Sequence, residues 1–510
     1  YDRIHAYENL IKLRSGTKKY MDGSRVIKFA KKHAIEDPNN LTDQELIDGL
    51  RYSRIHLRQL RRQAKGLRKA HLRDCLLEAQ RKKKTDKAKA IKKNMETEHM
   101  KRQWWLIQRT VKDPPTPPLL KVTRMEGNRE VPYEGQGEVE GALQNVLEAR
   151  FTFAHNAPIM NHYLGHKLRY LSDETLARQI ITGTYDIPSD LDESTALILE
   201  EIGKMGVKIA KGEDTIEITS EDFIKFWKRV REFTSSGGPL HYSHYKAAAR
   251  SESQARLEAQ QLTVIAKTGT PPEHWPVCLQ VMLEKIAGVC LVERLRAIQL
   301  YDAQFNSYNA FIFGKEAMAA LTSNELLPDE HYSQKGSTAE DAKLDKTLMA
   351  DLARQSRTPM AIASVDASNC YDWVNHVIMS LVWLALLGSF TAIRAALVTL
   401  QTMRFYQRTG YGESQTFFGG GNLFKYIMGL GQGSRGAPPS WIQISTILIN
   451  VMKRRGCGAK IVDPLTGYMI ESLGGFFVDD ADLFTWDEAF ETSEQVWKKM
   501  QEDATAWGDT

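Results

Sequence analysis

Three aspartates have the type and spacing for chemistry. In Gly474–Gly475–Phe476–Phe477–Val478–Asp479–Asp480–Ala481–Asp482–Leu483 a short apolar run leads into two adjacent acids, and a second run, Leu483 to Trp486, follows Asp482. Two short strands joined at an acidic pair predict a hairpin that lifts both carboxylates clear of the sheet. Asp is also an ordinary turn residue, because its side chain bonds the local backbone; taken alone, the pair reads as a turn. A distant strand-like run, Ala361 to Val365, ends in Asp366, with Tyr371 and Asp372 soon after. If the two strands pair, Asp366 stands beside Asp479 and Asp480. Carboxylates about 4 Å apart repel by ~1 kcal/mol per pair in water and ~4 kcal/mol at an effective dielectric of 20, so the cluster needs a cation. An all-oxygen set, with no His or Cys in either strand, selects a hard ion: Mg²⁺, or Mn²⁺ in its place. Two such ions can clamp the attacking and leaving oxygens of a phosphoryl transfer.

Between these segments lies Gly431–Gln432–Gly433–Ser434–Arg435–Gly436–Ala437–Pro438–Pro439. Its glycines let backbone approach a nucleotide closely, or mark a flexible loop. The order is strand–Asp with an aromatic five residues on, then a Gln-Gly-Ser loop, then an aromatic-x-Asp-Asp hairpin. It resembles the palm of reverse transcriptases (RNA-directed DNA polymerases) of the non-LTR retrotransposon type, over residues 220–510. The resemblance implies an α+β right-hand polymerase, fingers and palm, with an antiparallel ferredoxin-like palm sheet and helices. It implies transfer of deoxyribonucleotides to the 3′-hydroxyl of a DNA or RNA primer on an RNA template, with two Mg²⁺ ions. Asp366 and Asp479 would hold both ions, Asp480 would complete the cluster, and the Ala367 carbonyl would add a ligand. Tyr371 would stand under the incoming sugar and exclude a 2′-hydroxyl. Gln432 and Gly433 would pack against nucleotide and template base.

The resemblance extends upstream. Val277–Leu283 and Leu291–Leu300 read as strands whose hairpin sets Lys285 and Arg296 on one side of a nucleotide pocket, a point charge and a planar fork suited to a triphosphate. Without the resemblance they are two exposed strand charges. Arg296–Ala297–Ile298 resembles the family's Arg-Pro-Ile, with Ala for Pro. Gln334–Lys335–Gly336–Ser337–Thr338 resembles the next fingers-to-palm motif, and Asp341 reads as a first-turn acid of the helix after it. Gly436–Ala437 departs from the usual Leu-Ser. The chain starts at Tyr1 and stops at Thr510, so both ends look cut; the lysine-bearing segment and thumb of the family are expected beyond it, and no endonuclease or RNase H motif is present.

These residues need elements to carry them. At 510 residues, 42% apolar and 26% charged, the chain predicts more than one domain. We divide it into a basic helical or coiled-coil region, 1–113, a helical connecting region, 119–215, and the fingers and palm, 219–510. Thr42 and Glu45 predict a capping box, opening a helix over 41–112 in which Leu57, Leu60, Ala64 and Leu67 suit a short coiled coil or a helical hairpin. Residues 51–112 carry 21 Lys or Arg against 5 Asp or Glu, in a chain whose net charge is only +5. Arg81, Lys82, Lys83 and Lys84 sit inside this block. They read as a solvated face, as a nuclear-targeting run, or as a phosphate-binding surface whose affinity falls with salt. Trp104–Trp105 would anchor the helix end in a core. Pro114 to Pro118 is a stiff linker. Val139, Leu143, Val146 and Leu147 form an apolar helical face, and Phe223, Phe226, Trp227 and Val230 another, opened by Thr219 and Asp222.

Five scattered cysteines without CxxC spacing suggest a reducing, intracellular setting, with nuclear access open and secretion not expected. No apolar run reaches the roughly 18 residues of a membrane span, so no membrane partner is expected; Val377 to Leu387 reads as a buried helix. Other readings remain: an RNA-dependent RNA polymerase, a group II intron maturase, or a non-catalytic nucleic-acid-binding remnant. Tyr371 and the Phe-Val-Asp-Asp form favour the reverse transcriptase over an RNA polymerase.

Overall fold

The computed structural model describes residues 2–510 apart from 15–22, 36, 83, 113–118, 211, 213–214, 232–233, 287–288, 335, 368, 422–425, 463–466, 468 and 488. The Pro114–Pro118 linker, Lys83 and Lys335 therefore lie outside the described residues. The chain divides into two compact units, Tyr1–Trp105 and Leu106–Thr510.

The first unit holds α1 (Asp2–Arg14), α2 (Gly23–Lys32), α3 (Asp43–Arg81) and most of α4 (Thr85–Lys112). Ala6, Tyr7, Leu10, Val26, Ala30, Ile35 and Leu46 form its core. The capping box is present: the Glu45 amide donates to Thr42 Oγ1 at 3.2 Å, and the Thr42 amide to Glu45 Oε2 at 2.7 Å. The expected helix to residue 112 is broken after Arg81, and a new helix starts at Thr85. Four consecutive like charges at 81–84 share about one turn, which disfavours continuation, while Asp86 suits a first turn. Leu57 is half-buried and Leu60 is 48% exposed, so these two line no packed seam; the side chains of Ala64 and Leu67 lie outside the described set. Trp104 is 61% exposed and anchors no core, and the side chain of Trp105 lies outside the described set.

The second unit opens not with a helix, as expected over 119–215, but with a hairpin, β1 (Lys121–Glu126) and β2 (Arg129–Glu134), antiparallel in register across a Gly127–Asn128 turn. Next comes α5 (Gln136–Phe151), whose Val139, Leu143 and Leu147 are buried as expected. Residues 119–215 share one core with the rest of the unit, in which Leu119, Leu143 and Leu199 join Phe223, Trp383 and Phe405. The helix His376–Leu387 is buried along its whole length. Among the described residues no helix is long and apolar enough to cross a membrane.

Two larger sheets carry the rest. In the first, β3 (Val277–Glu284) pairs antiparallel with β4 (Leu295–Leu300) and parallel with β6 (Arg404–Thr409), which forms a hairpin with β7 (Gly412–Gly419). The strand expected over 291–300 begins only at Leu295, because Val292–Arg294 forms a 3₁₀ turn. In the second sheet, β11 (Asp480–Asp487) is central, between β5 (Ala361–Asp366) and β10 (Gly474–Phe477). β8 (Ala459–Val462) and β9 (Met469–Ser472) complete it. This sheet is mixed, not wholly antiparallel as expected. β9 and β10 run on almost as one strand; β8 is antiparallel to the first half and β11 to the second, so β8 and β11 meet in parallel at Trp486 and Ala459.

Alternation gives the β5–β11 ladder two faces. Ile362 and Phe484 pack under Met349 and Ala353 of the helix Ala339–Ser356. Ala363, Val365 and Leu483 pack against Ile449 and Met452 of the helix Ala437–Arg454 and Trp507 of the helix Ser493–Asp509. The last helix is tied down by buried Asp503, which accepts from Thr485 Oγ1 and Lys499 Nζ, both at 2.7 Å.

Candidate active site

The β5–β11 register decides where the acids stand. Asp366 is directly opposite Asp480. One step further, the Ala367 amide donates to the Asp479 carbonyl at 3.2 Å. Pairs in an antiparallel ladder alternate between hydrogen-bonded and non-hydrogen-bonded, so Asp366 and Asp480 form the closer kind, with Cα atoms about 4.5 Å apart. Their side chains leave the same face. Asp482 in β11 and Ser364 in β5 repeat this pairing two residues deeper and share a hydrogen bond.

The turn differs by one residue from the expected acidic-pair turn. Phe477 pairs with Asp480, so the two turn residues are Val478 and Asp479, and Asp480 already belongs to β11. Val478 has φ +59°, a left-handed conformation that a β-branched residue rarely adopts. The Val478 carbonyl accepts the indole N–H of Trp441 at 2.5 Å. That indole also meets the Tyr371 ring edge-on, with centroids 6.4 Å apart. Trp441 therefore braces the acid-bearing turn and the aromatic after Asp366 together.

The charges gathered here act on one another. The Asp480 carboxyl is pushed up, first by partial desolvation and then by Asp479, Asp366 and Asp482. Burial, then the Asp479 charge, pushes the Cys370 thiol up to about 12. The Tyr371 hydroxyl is raised by burial, then by Cys370 and Asp479. Among the described residues no three His, Cys, Asp or Glu side chains stand as a ready ligand set. The donors present nevertheless fit a hard divalent ion: all are oxygens, two carboxylates are cross-strand neighbours, and their mutual repulsion is what a cation would relieve. The Ala367 carbonyl already accepts from the Cys370 amide at 3.2 Å, and a carbonyl oxygen keeps a second lone pair for an ion.

The Gln-Gly-Ser loop reaches this cluster through Tyr371, whose carbonyl accepts the Leu430 amide at 2.7 Å. A Cβ on Gly429 would lie 2.7 Å from that same carbonyl oxygen, so only glycine allows the approach. On its other side the loop leans on β4: the Gln299 amide donates to the Gln432 carbonyl at 2.7 Å, and Asn306 Nδ2 to the Gly433 carbonyl at 3.0 Å. The Arg435 guanidinium lies over Phe226 and Tyr242, 5.1 Å and 5.8 Å from their centroids. Gln432 and Gly433 are thus held between Tyr371 and β4.

Lys285 and Arg296 come from the end of the β3–β4 hairpin and are exposed. Arg296 stands opposite Leu283 in register, and Lys285 lies one residue beyond the end of β3. The Lys285 charge reaches the Asp372 carboxyl. Asp372 is only 2% exposed, and its Oδ1 has no hydrogen-bond partner among the described residues. Burial raises its carboxyl to about 7, against the pull of Arg150 and Lys285.

Several residues here carried no sequence signal. Arg150 at the end of α5, and the segment after it, wall the site: the Met428 amide donates to the Phe151 carbonyl at 2.9 Å, Asn375 Nδ2 to the Ala154 carbonyl at 3.2 Å, and Phe153 stacks on Trp373 at 4.3 Å. Nothing in residues 119–215 distinguishes them as site residues until the chain is folded. In the other unit, Arg81, Lys82 and Lys84 are exposed, and Lys82 is paired with Glu78 at 2.5 Å.

No known family model and no curated protein matches this chain.

Proposed function

We propose that the chain is an RNA-directed DNA polymerase, with residues 219–510 forming fingers and palm of the reverse-transcriptase kind. The observation that carries this reading is the cross-strand pairing of Asp366 with Asp480 beside the Asp479 turn, with Tyr371 and the Gln432–Gly433 loop held against them. Bound divalent ions would supply a more acidic primer hydroxyl and charge neutralisation at the leaving pyrophosphate. Asp366, Asp479 and Asp480, with the Ala367 carbonyl, would hold them. Tyr371, fixed by Trp441 and Leu430, would present its ring to the incoming sugar and leave no room for a 2′-hydroxyl. Gln432 and Gly433 would bound the nucleotide pocket opposite, and Lys285 and Arg296 would meet the triphosphate as it arrives.

Primer extension on an RNA template tests the reading. The wild-type chain is expected to add deoxyribonucleotides in Mg²⁺, and Asp479→Ala to lose addition while keeping its affinity for RNA. Extension by Asp479→Ala at the wild-type rate refutes the assignment. A preference for ribonucleotides would transfer it to an RNA polymerase of the same build and remove the role given to Tyr371.

A further inference from the structure

Lys346 lies on the helix Ala339–Ser356, which packs on the carboxylate-bearing face of the β5–β11 ladder. Its Nζ is 2.8 Å from Asp482 Oδ1 and 3.4 Å from Ser364 Oγ, and Ser364 hydrogen-bonds the same Asp482 oxygen. Asp482 and Ser364 occupy the same face as Asp480 and Asp366, one pair deeper. At about 3.4 Å per residue the set stands about 7 Å along the strands from the acids at the tips. The side chains of Lys346 and Asp482 keep 35% and 30% of their exposure, so the pair is open to a ligand on that face. The contact ties the helix to the ladder, yet a pair this open to water adds little to stability, and the ammonium remains accessible beside the acidic cluster.

We propose that Lys346, poised on Asp482 and Ser364, binds a backbone phosphate of the nucleic-acid strand whose 3′ end is presented to Asp366, Asp479 and Asp480. The inference rests on the polymerase reading for where that strand lies. A strand ending at the ions passes the uncovered tip end of that face, where Lys346 stands at the flank of its helix. Asp482 alone would repel its next phosphates. Lys346 cancels that charge and offers its one remaining N–H to a phosphate oxygen. Asp482 then acts as a tether: it holds the ammonium in place and competes with the phosphate for it.

The test is equilibrium binding of a recessed primer–template duplex without nucleotide, titrated with salt, for the wild type, Lys346→Met and Asp482→Asn. Lys346→Met is expected to weaken binding and flatten the log–log salt slope by about one, the mark of one phosphate no longer neutralised. Asp482→Asn is expected to tighten binding by about two- to fivefold, because it removes a negative charge and frees the ammonium. A plain structural ion pair reverses the sign for Asp482→Asn, so that both variants weaken binding alike. That outcome, or an unchanged slope in Lys346→Met, overturns the proposal. Nucleotide affinity, measured separately, separates strand phosphate from triphosphate; an effect of Lys346→Met on nucleotide alone also overturns it. If Asp479→Ala abolishes extension while the Lys346→Met slope stays at the wild-type value, only this inference falls. If the wild type does not extend primers but the slope and sign behave as stated, the phosphate site at Lys346 stands and the polymerase reading falls.

Discussion

Asp372 illustrates how one buried group records the demands of a site. It follows Tyr371 in a tight turn whose amide bonds Asn369, and it is buried without full hydrogen bonding. Its carboxyl is raised from its ordinary value to about 7, chiefly by burial. The folded chain therefore binds this proton more tightly than the unfolded chain between about pH 4 and pH 7, and stability falls as pH rises through that window, then levels. The effect is on the order of 4 kcal/mol. Asp372→Asn mimics the protonated form. Relative to the wild type it should melt higher at pH 8 and equally at pH 4; parallel melting curves across this range would show that Asp372 is not the group responsible. The type of Asp372 is legible in the sequence. Its burial is not, because that depends on α5 and Arg150, more than 200 residues away.

Elements are legible where local chemistry specifies them. The Thr42–Glu45 box, the Thr219 cap on Asp222 and the buried face of Phe223 and Trp227 all form as read. The β1–β2 hairpin is signalled only by its two-residue Gly127–Asn128 turn, since its polar strands show no clean alternation. The sheet that bears the acids is mixed where an antiparallel one was expected, since the parallel β8–β11 pairing is long-range and follows from neither strand's own residues. The Gly431–Gly433 loop is recognisable by composition, but the reason for its glycines is tertiary. Gly433 has φ +125°, and a Cβ there would lie 2.2 Å from the Gln299 carbonyl oxygen. That neighbour is strand backbone and cannot swing aside. Gly433→Ala is expected to destabilise the fold by about 1–3 kcal/mol, read by denaturant unfolding, and to shift the loop off β4; a wild-type midpoint would mean the loop is not clamped there.

Across the whole molecule, charge is partitioned. The block over 51–112 is strongly basic while the whole chain carries only +5, so the remainder is net negative and gathers acids on one sheet face. We propose that the basic block binds phosphates generally. Replacing Lys82, Lys83 and Lys84 together should weaken RNA binding and flatten its salt slope by about one for each phosphate no longer held; the Lys82–Glu78 pair makes Lys82 the smallest contributor. A slope unchanged by the triple replacement would make the block a solvated face.

The polymerase assignment requires that Asp366 and Asp480, facing each other across β5 and β11, share divalent ions with Asp479. Titration with Mn²⁺, followed by the decline of its free-ion paramagnetic resonance signal, measures this without any need for turnover. The wild-type chain should take up Mn²⁺ in competition with Mg²⁺, and Asp366→Asn and Asp480→Asn should each lose most of that uptake while their melting temperatures hold or rise. Uptake equal to the wild type in both variants would contradict it.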